Sequence, residues 1–247
     1  MLGLPKGIRA GLFDLDGVVT QTARLHAAAW KDMFDAFLGS RAEETGGAFA
    51  PFDSVVDYAE FIDGKLRYDG VRSFLSSRGI DMPEGDPSDP PDAATICGLG
   101  NRKNELVLTL IGRSGVETYP GSVRYVRAAR EAGIRRAIVS ASKNCHDILQ
   151  AADIDNLFEE VIDGNVAERR HLSGKPSPDT FLVASEALGV TPAEAAVFED
   201  ALAGVEAGRA GGFGFVVGVN RSGQAIALLE HGADVVVADL SALLDRA

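Results

Sequence analysis

The sequence predicts an α/β protein: a parallel sheet covered by helices on both faces, with a helical domain inserted after the first strand. Three observations point there. Short apolar runs stop abruptly at polar residues in 8–13, 137–139, 195–198, 213–219 and 234–237, and read as buried strands. Helical patterns alternate with these runs from about Tyr119 onward, which favours parallel pairing. The stretch 22–117 carries only helical periodicity.

Taken in chain order, the first run ends on Asp14. Inside the insert, helical spacing is visible at 23–38, 71–77 and 102–111. Two polar, Gly- or Pro-rich pieces, 39–47 and 85–91, interrupt it and read as loops. Past the insert, 123–132 has helical spacing and stops at Gly133, a suitable C-cap. In Ser177-Pro178-Asp179 the serine reads as an N-cap, the proline as the first helical residue and the acid as a first-turn charge. That helix runs to Leu188 and closes at Gly189. Thr191-Pro192-Ala193-Glu194 has capping-box form, with room only for a short turn before the next strand. The expected domains are 1–21 with 118–247, and 22–117.

Composition narrows the function. The 247 residues are 46% hydrophobic and 24% charged, enough to bury a core without staples. A net charge of −12 with no basic run argues against nucleic acid or an anionic membrane as partner. An anionic substrate would then need a cation and local Lys or Arg. Two cysteines without metal-like spacing, Cys97 and Cys145, fit a reducing cytoplasm. The first residues lack the apolar run of a signal peptide, and no stretch approaches the roughly 20 apolar residues of a membrane span.

Ligands of open α/β sheets bind outside the carboxyl ends of the strands. Asp14 with Asp16, Ser140, and Glu199-Asp200 all sit at predicted strand ends, and Lys175 lies in a loop before a helix. A carboxylate can attack phosphorus, and a second one two residues on can move the proton. Clustered acids hold Mg²⁺, which favours oxygen ligands and substrate phosphate. A lysine and a hydroxyl suit the equatorial oxygens of the transferring group. Singly, each has an ordinary reading: Asp-x-Asp-Gly as a turn, Ser as a cap, Lys-Pro as surface, Glu-Asp as the start of a helix. Their joint occurrence in this order is what carries the argument. EF-hand, phosphate-loop, dinucleotide and nucleophile-elbow patterns all fail on spacing or context, and His26, His146, His171 and His231 lack zinc-like spacing.

Phe13-Asp14-Leu15-Asp16-Gly17-Val18, Val139-Ser140, Lys175 and Glu199-Asp200 resemble, over nearly the whole chain, the four motifs of the haloacid dehalogenase superfamily. The resemblance implies a Rossmann-like core with a helical cap inserted after the first motif. It implies that Asp14 is the nucleophile, Asp16 the acid and base, and Ser140 and Lys175 the phosphate contacts. Mg²⁺ would lie among Asp14, the backbone oxygen of Asp16, Asp200 and Glu199. Asp14 through Thr22 with His26 and Trp30, Ser140 through Asn144, and Gly174 through Asp179 further resemble the β-phosphoglucomutase-like subfamily. There, positions matching Thr22, His26, Ser142 and Asn144 line the sugar-phosphate site or support the acid/base, and Arg67 would meet the distal phosphate.

The chain departs from that pattern at Ile62-Asp63-Gly64-Lys65, where an acid precedes the glycine; Lys65 is the candidate substitute for the missing lysine. The two polar loops lengthen the cap, and Ala201 stands where serine is common. His26 and Trp30 also fit a packed helical pair, Lys65 and Arg67 fit plain surface charges, and Cys145 fits a small buried residue. The implied activity is interconversion of β-glucose 1-phosphate and glucose 6-phosphate. A phosphatase acting on a small phosphometabolite is the alternative, and a silent binding module a third. The expected partner is a phosphosugar, and the expected state a cytoplasmic monomer.

Overall fold

A computed structural model describes residues 2–244. Six strands, β1 (Ala10–Phe13), β2 (Arg135–Val139), β3 (Glu160–Ile162), β4 (Ala195–Glu199), β5 (Phe215–Val219) and β6 (Val235–Val237), form one sheet. Its order is β3-β2-β1-β4-β5-β6, and every pairing is parallel. The chain runs outward from β1 to β3, then returns to β4 and runs outward the other way. β1 and β4 therefore flank the point where the direction of winding reverses, the usual ligand position in such sheets. Their register pairs Phe13 with Phe198, so Asp14 and Glu199 leave adjacent strand ends.

The central strands β1 and β4 form because their residues, up to Glu199, are apolar and buried on both faces. One face carries Leu12, Val139 and Val197. The other carries Phe13 and Phe198, whose rings stack with centroids 4.3 Å apart. Gly11 leaves room for them, since a Cβ there would lie 2.7 Å from the Phe13 ring.

Backbone proximity divides the chain into two compact units, residues 2–21, 64–66 and 116–244 in one and 22–63 with 67–115 in the other. The second is helical: α1 (Ala23–Thr45), α2 (Arg67–Ser77) and α3 (Ile96–Ser114), with a π-helical turn at Tyr58–Ile62. Its core is aromatic. Phe34 lies 4.2 Å from Phe74, 5.2 Å from Phe52 and 5.4 Å from Trp30, centroid to centroid.

Two stretches of the first unit lead into and out of this insert, and they are bonded to each other. Gln21 N–H donates to Glu117 O (2.8 Å), Tyr119 N–H donates to Val19 O (2.9 Å), and Thr20 bridges Thr118.

The sheet is covered by α4 (Pro120–Glu131), α5 (Cys145–Ala151), α6 (Gly164–Arg169), α7 (Asp179–Ala187), α8 (Leu202–Ala210) and α9 (Ala225–Glu230). Phe181 and Ala184 of α7 and Ala207 of α8 pack on the Leu12 face. Tyr125 of α4 packs on the phenylalanine face, 5.4 Å from Phe198.

Several sequence expectations need correction. The piece 39–47 is not a loop: α1 continues through Thr45 and ends at Gly46, which adopts φ 66°. Gly39 costs the helix about 0.5–1 kcal/mol, and the following Arg41, Ala42, Glu43 and Glu44 are good helix formers. Ser177 does not cap α7. Pro178 precedes the first helical residue, and the Ser177 hydroxyl donates to Asp179 Oδ1 at 2.8 Å. The helix expected at 123–132 starts earlier, with Pro120 in its first turn. The one expected at 102–111 starts at Ile96, where the Thr95 hydroxyl accepts the Gly98 N–H at 2.9 Å. The strands expected at 8–13, 213–219 and 234–237 begin one or two residues later. β3 was not expected at all, because it has three residues at the sheet edge and only Ile162 is buried. The 85–91 piece is a loop.

Candidate active site

The first strand delivers Asp14, whose N–H donates to Phe198 O at 3.0 Å, so its backbone extends the sheet by one step. A tight turn follows. Leu15 O accepts the N–H groups of Val19 and Thr20 and the Thr20 hydroxyl, and Gly17 N–H donates to Thr20 O. Asp16 rides on this turn. Gly17 is required twice over: its φ is 93°, and a Cβ would fall 1.8 Å from an Asp200 carboxylate oxygen.

Lys175 is the centre of the cluster. It is 4% exposed; its Nζ donates to Asp14 Oδ1 at 2.6 Å, to Val139 O at 3.2 Å and to Glu199 Oε1. The second Glu199 oxygen accepts the Ala201 N–H at 3.0 Å, and Gly204 leaves space for the carboxylate. Burial pushes the Asp14 carboxyl up; Lys175 opposes this, while Glu199 and Asp16 add to it. Burial also opposes the Lys175 charge, but Asp14 and Glu199 outweigh it and hold the ammonium above the ordinary lysine value.

Asp14, Glu199 and Asp200 place carboxylate oxygens within 4.8 Å of one another, all buried. Three carboxylates against one ammonium leave the cluster short of positive charge. All-oxygen ligands in that state fit a hard divalent cation such as Mg²⁺. The Asp16 carboxylate is not among the three, whereas Glu199 also has both its oxygens engaged by donors.

Ser140, 3% exposed, follows β2, and its N–H donates to Ile162 O at 3.0 Å. Its hydroxyl accepts the Ser142 N–H at 3.1 Å, and the Ser142 hydroxyl accepts the Asn144 N–H at 3.2 Å. Ser140 and Lys175 line a small pocket with Gly64, Leu66, Ala141, Gly174 and Thr180. Lys65 lies between two of these lining residues, in the short piece 64–66 that belongs to the sheet unit. The sheet thus brings together Asp14, Ser140, Lys175, Glu199 and Asp200, with Asp16 on the adjoining turn.

Thr22, His26 and Arg67 belong to the helical unit. Thr22 O accepts the His26 N–H at the start of α1. His26 Nδ1 accepts from Lys103 Nζ at 2.9 Å, and that buried ammonium lies 4.9 Å from the Trp30 ring centroid. Trp30 is core, and Cys145 is buried, as expected. Arg67 Nη2 donates to Asn104 Oδ1 at 2.8 Å.

Residues bracing the site escaped the sequence reading. Asp163 caps α6 through the Val166 N–H, and its neighbour Asn165 donates to Lys143 O in the 140–144 loop. Both follow β3, so finding that strand would have exposed them. Arg221 and Gln224 follow β5, and the rule that flagged Ser140 applies to them equally.

The comparisons give the family. Residues 8–212 match the model of the haloacid dehalogenase-like hydrolases. The chain belongs to that family. It is 55% identical to a β-phosphoglucomutase of Mycobacterium bovis, over 99% of this chain and 94% of that one. A β-phosphoglucomutase of Bacillus subtilis is 34% identical over 96% and 92% of the two chains. Among solved structures, a β-phosphoglucomutase of Clostridium difficile superposes with a TM-score of 0.74 at 26% identity, covering 96% and 93%. The chain is an enzyme, and its relatives place it with the β-phosphoglucomutase-like members of the family.

Proposed function

We propose that this enzyme interconverts β-glucose 1-phosphate and glucose 6-phosphate through an aspartyl phosphate on Asp14. The observation that carries the reading is Lys175, buried and bonded at once to Asp14 and Glu199 at the reversal point of the sheet. Identity of 55% with a protein named β-phosphoglucomutase supports the choice of substrate.

In this mechanism an Asp14 oxygen attacks phosphorus of a glucose 1,6-bisphosphate. The bond from phosphorus to the sugar oxygen breaks, and the protonated Asp16 carboxyl gives that oxygen its proton. In the reverse sense, ionised Asp16 takes the proton of a sugar hydroxyl as that oxygen attacks the phosphoryl group, and Asp14 leaves as a carboxylate. Lys175 and the Ser140 hydroxyl meet the equatorial oxygens throughout. Mg²⁺, held by Asp14, the Asp16 backbone oxygen and Asp200 with Glu199 beside it, would neutralise the charge gathered on the phosphoryl oxygens. Thr22, His26, Lys65, Arg67, Ser142 and Asn144 are the substrate-side candidates, and because the chain is acidic, with a net charge of −12, the bound cation with Lys175, Lys65 and Arg67 would supply the positive charge that an anionic sugar phosphate needs.

The alternative is a phosphatase with the same first half, in which water takes the phosphoryl group. A mutase must keep its phosphoenzyme from water while the bisphosphate turns over; a phosphatase must admit it. Incubation with Mg²⁺, β-glucose 1-phosphate and a trace of glucose 1,6-bisphosphate should give glucose 6-phosphate with little free phosphate. Stoichiometric free phosphate without glucose 6-phosphate would refute the mutase in favour of the phosphatase.

A further inference from the structure

The loop after β5 touches both loops that carry the acidic residues. Arg221 Nε donates to Gly17 O at 2.8 Å, and Nη2 reaches Val18 O and the Ser122 hydroxyl, each at 3.4 Å. Nη1 donates to Ala238 O at 2.7 Å, and the Asp239 carboxylate lies 3.7 Å away. The guanidinium lies 3.5 Å from the centroid of the Tyr119 ring. Three residues on, Gln224 Nε2 donates to Asp200 O at 2.9 Å. One short loop therefore holds the turn next to Asp16 with one residue and the backbone of Asp200 with another.

We infer that Arg221 and Gln224 are positioning residues that set the distance between the Asp16 turn and Asp200, and so the geometry of the cation site. The two loops already press together where Gly17 faces the Asp200 carboxylate. The bonds of the 15–20 turn to Leu15 and Thr20 close the turn on itself, whereas Arg221 and Gln224 grip the two loops from outside. The planar guanidinium spreads several donors in fixed directions while its face rests on the tyrosine, which a lysine cannot reproduce. Groups that orient ligands in this way govern metal affinity as strongly as the ligands' surroundings allow.

The kinetic half of the test rests on the proposed phosphoryl transfer; the binding half does not. Full-length wild type, Arg221→Ala, Arg221→Lys, Gln224→Ala and Arg209→Ala are compared for Mn²⁺ affinity by electron paramagnetic resonance, for kcat and KM, and for melting temperature. Arg209 is the control: it also grips a backbone carbonyl, Gly232 O at 2.6 Å, but ahead of β6, at the amino ends of the strands and away from the acids at their carboxyl ends. Arg221→Ala should weaken Mn²⁺ binding and lower kcat by roughly 10- to 100-fold each, the range for residues that orient metal ligands, with KM little changed. Arg221→Lys should stay nearer the alanine variant than wild type. Arg209→Ala should lower the melting temperature alone. Unchanged Mn²⁺ affinity in Arg221→Ala, or equal losses in Arg209→Ala, would overturn the inference. Should Arg221→Ala not fold, unchanged affinity in Gln224→Ala overturns it. Loss of Mn²⁺ affinity in a protein whose wild type turns over no phosphate ester would keep this inference and defeat the proposed function.

Discussion

The sheet unit and the helical unit hold their polar residues by different means. In the sheet unit, Asp14, Ser140 and Glu199 are placed by backbone: each ends a strand whose register is fixed by its neighbours. In the helical unit, His26 and Arg67 are placed by other side chains, Lys103 and Asn104, on an aromatic core. Backbone placement tolerates little change, because strand pairing is shared by the whole sheet. Side-chain placement can be altered one residue at a time. In the proposed function the first arrangement carries the phosphoryl transfer and the second the substrate contacts.

The largest effect should come from the backbone-held Asp14, the nucleophile of the proposed mechanism. Asp14→Asn should lower turnover of any phosphate ester by roughly 10⁴-fold or more, as removal of a covalent nucleophile does elsewhere. Near-normal turnover by that variant would sink the whole mechanism. On the helical side, Phe34→Ala empties the centre of an aromatic cluster and should cost about 3–5 kcal/mol. Urea unfolding measures it, and a loss well under 1 kcal/mol would mean that the cluster relaxes around the gap.

Arg67→Ala sharpens the contrast. If Arg67 meets a distal phosphate, the variant should lose about 10-fold in kcat/KM for the phosphosugar, a modest binding loss of about 1.4 kcal/mol, and little for a small aryl phosphate. Equal losses on both substrates would remove Arg67 from the substrate site.

The smallest effect lies at the far end of the sheet. The Glu194 carboxyl is held at about 2 by the Thr191 N–H, the Arg9 guanidinium and the Thr191 hydroxyl, against 4.5 when unperturbed. A depressed folded value contributes stability above the unfolded value, lost as pH falls from about 4.5 toward 2. Because the residue is exposed, Glu194→Gln should flatten the acid slope of the melting temperature only slightly; a steeper slope would reverse the sign.

The backbone-held residues were also the legible ones. A short apolar run ending in Asp, Ser or Glu-Asp is a local pattern, so Asp14, Ser140 and Glu199-Asp200 could be read from the sequence together with the parallel sheet. Lys175 was legible only through its Gly-Lys-Pro context. By contrast, the partners of His26 and Arg67 lie 77 and 37 residues away, and no local pattern announces Lys103 or Asn104. β3 hid because it has three residues at the edge and two of them, Glu160 and Val161, are half-buried, and Asp163 hid with it. Gly39 and Ser40 looked like a loop because glycine and serine weigh against helix locally; the formers beyond them decided otherwise.

The bonded pair of stretches on either side of the insert has an evolutionary consequence. Val19 with Tyr119, and Gln21 with Glu117, close the sheet unit on itself before and after the departure of the chain. Loop-closure cost rises only slowly with length, so the segment between them can grow or shrink, provided that the 64–66 piece beside Ser140 and Lys175 is kept. Such a change leaves Asp14 and Glu199 on their strand ends. Under the proposed function, a lineage can thereby inherit a new substrate with the old chemistry, and a chimera cut at these two positions that retains 64–66 is the natural way to build one.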